Sequence, residues 1–134
     1  MTGLEKEFIP YDEALELKKL GFNEPCLASY FHAGKRLNIR EYINHSEYTI
    51  LAPTFSQVFR FFREKYNLRG FIGFRPNIKK FDFHIYDISL SGIEYVKQRA
   101  MEDFNKDPKV GTYEEAELAC LQKLIEIVKN GKTD

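Results

Sequence analysis

Apolar residues recur at helical spacing most clearly between Pro53 and Asn67. Phe55, Val58, Phe59, Phe62 and Tyr66 fall at i, i+3, i+4, i+7 and i+11, which predicts an amphipathic helix. Thr54 with Gln57 three residues on reads as a capping box, Arg60 and Glu64 pair one turn apart on the polar side, and Asn67 suits the C-terminal cap. A shorter helix is predicted from about Tyr11 to Leu20. Pro10 precedes it, Asp12 and Glu13 occupy its first turn and Lys18 and Lys19 its last, and Gly21 supplies a left-handed residue that lets Phe22 fold back on Leu17. Thr112 and Glu115 form a further capping box ahead of Ala116, Cys120, Leu121, Leu124, Ile127 and Val128. That apolar surface covers more than half of a helix over about Tyr113–Lys129 and predicts packing on two sides. One more helix is predicted behind Ser91 and Glu94, with Ile93, Val96, Ala100 and Phe104 on its apolar side, ending before Pro108 and Gly111.

Strand patterns fill the intervals. Cys26 to Phe31 is a short apolar run, and a turn at Ala33-Gly34-Lys35 connects it to the half-alternating stretch Leu37–Ile43. Asn44 to Ser46 reads as a loop and Tyr48 to Leu51 as a short extension. Phe71, Ile72 and Phe74 form one arm of a hairpin, Arg75-Pro76-Asn77 its turn, and Phe81 to Ile88 its other arm. On that second arm Phe81, Phe83 and Ile85 share one face and Asp82, His84 and Tyr86 the other. Gly70 and Gly73 are expected to weaken the first arm or mark bulges. The order predicts an α+β fold: one domain over residues 1–134, with a small antiparallel sheet of hairpins packed against three to four helices.

Composition agrees with a packed globular chain: 43% apolar and 30% charged, with 12 Phe, 8 Tyr and no Trp. The N-terminus lacks the apolar core of a secretory signal, and no stretch nears the roughly 18 apolar residues of a membrane helix. A cytoplasmic location without membrane contact is therefore expected. Cys26 and Cys120 lie outside any Cys-x-x-Cys spacing, and reduced, buried thiols are the expectation, although sequence does not place the two sulfurs. His32, His45 and His84 share no ligand spacing with each other or with the cysteines, so no metal and no cofactor is expected.

Three blocks resemble a group of short, uncharacterised proteins of gut bacteria and of the bacteriophages and mobile elements that infect them. They are Glu7–Cys26 (EFIPYDEALELKKLGFNEPC), Ala52–Ile72 (APTFSQVFRFFREKYNLRGFI) and Thr112–Lys129 (TYEEAELACLQKLIEIVK), together 59 of the 134 residues. The resemblance implies a small cytoplasmic α+β protein, often phage-associated. It brings no catalytic or binding residue with it.

The net charge of zero excludes a uniformly basic nucleic-acid coat, yet the charge is uneven. Between Arg60 and Lys80 stand seven basic residues and one acidic, whereas both ends of the chain are net acidic. Phe61, Phe62, Tyr66, Phe71 and Phe74 interleave that basic stretch. Arg63, Arg69, Arg75, Lys79 and Phe74 are thus the candidate binding residues. As phosphate contacts and a stacking platform they suit single-stranded nucleic acid. As an exposed patch they suit an acidic protein partner, and an open sheet edge would suit self-association. Enzyme chemistry finds less support: Asp82 and His84 share a strand face as an acid–base pair requires, a thiol–imidazole pair of His84 with Cys26 or Cys120 depends on the fold, and no glycine-rich phosphate loop is present. The expectation is a non-enzymatic interaction module that binds a protein partner, with single-stranded nucleic acid as the alternative.

Overall fold

In the computed structural model, which describes residues 3–31, 35–43, 49–88, 94–98 and 111–131, the first helix ends as its sequence requires. Helix α1 (Tyr11–Lys19) stops at Gly21, whose φ of 89° is costly for any residue with a Cβ. The Phe22 N–H then reaches the Leu17 carbonyl at 3.0 Å and the Gly21 N–H reaches Lys18 at 3.1 Å, the paired bonds of a Schellman end. Leu17 and Phe22 are both buried.

The chain is an α+β fold with two small antiparallel sheets among the described residues, where one was expected, and it divides into compact units Met1–Val58 and Phe59–Asp134. In the N-terminal unit a short 3-10 turn (Gly3–Glu7) leads to Phe8, which bridges to Thr54. Strands β1 (Cys26–Tyr30), β2 (Leu37–Ile43) and β3 (Ile50–Leu51) form a sheet in the order β2-β1-β3, with an irregular register between Cys26 and Ala28. Of the short extension expected over Tyr48–Leu51, Ile50–Leu51 is thus a strand paired with β1, and Tyr48 lies outside the described residues. Ile9, Leu17, Ala28, Ile50 and Ala52 are completely buried in this unit, and the Tyr30 hydroxyl donates to the Ile9 carbonyl at 2.8 Å.

Helix α2 (Phe55–Tyr66) is capped only in part as predicted. The Gln57 N–H donates to Thr54 Oγ1 at 3.2 Å, but the Gln57 side chain donates to the Pro25 carbonyl at 3.0 Å and to Glu24 instead of returning to Thr54, which is bridged to Phe8. Phe61 is buried beside Phe62, while Phe59 and Tyr66 of the predicted stripe are only half-buried. Asn67 ends the helix at a left-handed φ of 57°.

The C-terminal unit is a hairpin with a helix on it. Strand β4 (Leu68–Arg75) is longer than expected and pairs with β5 (Lys80–Asp87) without interruption from Leu68–Asp87 to Arg75–Lys80, so the glycines mark no bulge. The turn spans residues 76–79, with Lys79 left-handed at φ 55°. Gly70 is present for a different reason: a Cβ there would lie 2.7 Å from Cys120 Sγ and 3.3 Å from Leu124 Cδ1. Both belong to helix α3 (Tyr113–Lys129), whose Thr112–Glu115 capping box forms as predicted. Ala116, Cys120, Leu121, Leu124 and Ile125 of α3 are buried; Ile127 and Val128, expected inside, are half-exposed, so one stripe and not two is fully covered. The Phe81 N–H donates to the Gly111 carbonyl at 2.7 Å, tying the start of α3 to β5.

The helix expected behind Ser91 is overturned where the structure describes it: Glu94–Gln98 is a strand, β6, antiparallel to β5. Tyr95 and Val96 favour extended backbone, and the side of β5 away from β4 offers them a ladder. Ser91, Ile93, Ala100, Phe104, Pro108, the turn residues Ala33 and Gly34, His32 and the loop Asn44–Ser46 lie outside the described residues.

Gly70→Ala is expected to lower the unfolding free energy by about 1–3 kcal/mol through overpacking against Cys120 and Leu124. Gly3→Ala, with nothing within 4 Å, is expected to change it by less than about 0.5 kcal/mol. Urea denaturation of the two variants checks the difference.

Candidate functional site

The two-residue period of a strand decides what the hairpin shows. Gly70 faces α3, so Leu68, Ile72 and Phe74 share that inner face with Phe83 and Ile85, and Arg69, Phe71, Gly73 and Arg75 turn outward. Cross-strand pairing puts Tyr86 beside Arg69, His84 beside Phe71 and Asp82 beside Gly73. The faces predicted for the second arm are those observed.

Three rings line this outer face. Phe71 lies 5.2 Å from His84 with planes 19° apart and 5.8 Å from Tyr86 with planes 5° apart, so the three are close to parallel. Phe71 remains 38% exposed.

Next to the rings is a buried carboxylate. Asp82 is fully buried, and Arg75 Nε donates to its Oδ2 at 2.7 Å. Its Oδ1 has no hydrogen-bond partner among the described residues and lies 3.4 Å from His84 Nε2. A Cβ on residue 73 would come within 2.7 Å of Oδ1 and 3.3 Å of Nε2, so glycine is what lets Asp82 and His84 occupy this position. Asp82 and His84 are therefore adjacent, as the acid–base reading requires. On β4 and β5 the register surrounds them with Phe71, Gly73, Arg75, Lys80 and Tyr86, none of them serine, threonine or cysteine.

The candidate binding residues are not gathered on one face. Arg69 and Arg75 share the outer face of β4, with Arg69 exposed and Arg75 engaged by Asp82. Phe74 is 50% exposed on the opposite face, 4.8 Å from Phe81, which in turn packs edge-on to Tyr113. Lys79 is exposed in the turn, and Arg63 is exposed on α2. Among the interleaved aromatics Phe61 and Phe62 are core residues, and Lys65 Nζ lies 5.6 Å from the Phe61 and Tyr66 ring centres. The exposed aromatic at Phe71 and the Arg75–Asp82 pair were not anticipated. The signal for both lies in the chain: once β4 begins at Leu68 and the turn takes four residues, positions 71 and 84, and 75 and 82, fall on one face.

The thiols are not activated. Burial, and after it the Glu24 charge, pushes Cys26 from 9.0 up to about 12; burial, and then Glu117, does the same to Cys120. Both cysteines are free and buried, and Cys120 lies on the α3 side of the sheet, away from the face that carries His84. Among the described residues no group of three His, Cys, Asp or Glu is placed to hold a metal, and no helix is long and apolar enough to cross a membrane. Compared with protein-family models, curated proteins and solved structures, the chain matches none.

Two outcomes are expected. Arg75→Met is expected to destabilise by at least about 1–3 kcal/mol because it strands a buried carboxylate, whereas Arg75→Met combined with Asp82→Leu is expected to recover most of that loss. Urea midpoints of the single and double variants test the pair. The raised thiol values mean that the unfolded chain loses its thiol protons first. Stability from the protonated thiols is complete below pH 9 and declines as pH rises through about 12. Unfolding midpoints at pH 8 and about 10.5 are expected to fall less for a Cys26→Ala/Cys120→Ala variant than for wild type.

Proposed function

We propose that this chain is a small, non-enzymatic, cytoplasmic interaction module, of the kind found in bacteriophages, that binds a partner protein through its β4–β5 hairpin. One observation carries the reading: β4 displays large apolar surface on both of its faces, Phe71 on the outer and Phe74 on the inner. Exposed aromatics set beside a cation such as Arg69 are the side chains that anchor protein interfaces. Two unpaired, buried thiols accord with a reducing compartment. Single-stranded nucleic acid is the second reading, favoured by the parallel rings of Phe71, His84 and Tyr86. Against it, the cations are divided among a helix, a strand and a turn.

Immobilised wild-type protein is expected to retain a specific protein from nuclease-treated lysate of the source cells, and a Phe71→Ser/Phe74→Ser variant to lose it. Retention of the same proteins by both, or of none by either, overturns the reading. Labelled single-stranded DNA and RNA are expected to bind weakly at about 50 mM salt. Tight binding there that falls steeply by about 200 mM would replace the protein partner with nucleic acid.

A further inference from the structure

Among the described residues, β4 has β5 on one side and no strand on the other. It is eight residues long and runs in uninterrupted register. Edge strands are usually protected by being short, by a bulge, a proline or charged side chains, or by a covering segment. Leu68–Arg75 contains no proline and no bulge, its only charges are Arg69 and Arg75 towards its two ends, and Pro76 stands just beyond it. Gly70 and Gly73 are partly exposed although they consist only of backbone, so the main chain of β4 itself reaches solvent.

We propose that the free edge of β4 takes up an extended acidic segment of the partner protein as an added strand. This rests on the protein-binding reading above and names the mode and the chemistry of the partner. Charge selects the occupant: β4 carries Arg69 and Arg75 and no acidic residue. A second copy added antiparallel about Ile72 would set the Arg69 of each chain against the Arg75 of the other. An acidic strand reverses the sign of that interaction. Main-chain hydrogen bonds to the edge supply affinity, and side chains on alternate positions supply specificity. Along the outer face the added strand meets Arg69, Phe71, Gly73 and Arg75 in turn. It therefore carries acids six positions apart with apolar residues between them, and glycine at 73 leaves room for a bulky one. Arg75 has spent one of its five N–H donors on Asp82 and keeps the remainder for a carboxylate.

The probe is a fluorescent peptide of about nine residues, alternating threonine and valine, with glutamate at its second and eighth positions and phenylalanine at its fourth and sixth, which fits either strand direction. Three ligands are compared on the full chain: this peptide, the same peptide with both glutamates replaced by lysine, and the acidic peptide N-methylated at alternate residues, which removes strand hydrogen bonds and leaves the protein untouched. The acidic peptide is expected to bind and to slow amide exchange at alternate residues of β4. Lysine replacement and N-methylation are each expected to weaken it by at least about tenfold. Arg69→Glu is expected to invert the preference between the acidic and lysine peptides. Equal affinity for the N-methylated peptide, or no binding by the acidic one, overturns strand addition. If the lysate partner is then still retained by wild type and lost on Phe71→Ser/Phe74→Ser, the protein-binding reading stands without it; if nothing is retained, both fail.

Discussion

The C-terminal unit depends on one close approach, the seating of Cys120 and Leu124 of α3 on the bare backbone of Gly70. Only a residue without a side chain leaves that space, and the contact commits one face of the hairpin to the helix. The alternation of a strand does the rest. Leu68, Phe83 and Ile85 turn inward and are buried, and Phe71, Arg69 and Asp82 are carried to the other side with no choice in the matter.

Asp82 is the awkward consequence of that commitment. Its carboxylate is buried on a face that the core does not occupy, and burying an unpaired charge costs more than most single contacts return. Arg75 resolves one oxygen with a charge-assisted bond worth about 1.5–3 kcal/mol, and the bare Gly73 makes space for the other beside His84. By contrast the surface pairs Lys19–Glu16 and Lys123–Glu126 contribute about 0–1 kcal/mol each and decide nothing about the fold. Glycines at one inward and one outward position of β4 thus serve opposite ends, one admitting a helix and the other a carboxylate.

Much of this was legible in the chain where the signal is local. The Gly21 end of α1, the Thr112–Glu115 box and the left-handed Asn67 are decided within a few residues, and all three are seen. The signals that failed depend on distant partners. Gln57 carries the right residue type for a capping box but finds Pro25 more accessible than its own helix end. Val96 belongs to a helix-like spacing with Ile93, Ala100 and Phe104, yet β5 offers Glu94–Gln98 a ladder that periodicity cannot register. For the candidate site the basic residues were visible as a run in sequence, but a run does not make a surface: a helix, a strand and a turn divide it, and Phe61 and Phe62 go to the core. Phe74 was named from the sequence and is exposed, whereas the exposure of Phe71 emerged only with the register.

The arginines of β4 bear a second load that follows from the unprotected edge. Gly70 to Phe74 is a run of two glycines, two phenylalanines and an isoleucine without a charge, in a strand whose backbone is accessible, and such an edge is a template for pairing with further copies. Arg69 and Arg75 bracket it as gatekeepers, because every stacked copy would bring like charges together at the strand spacing of about 4.8 Å. Attraction of a foreign strand and resistance to amyloid-like aggregation then come from the same two guanidinium groups.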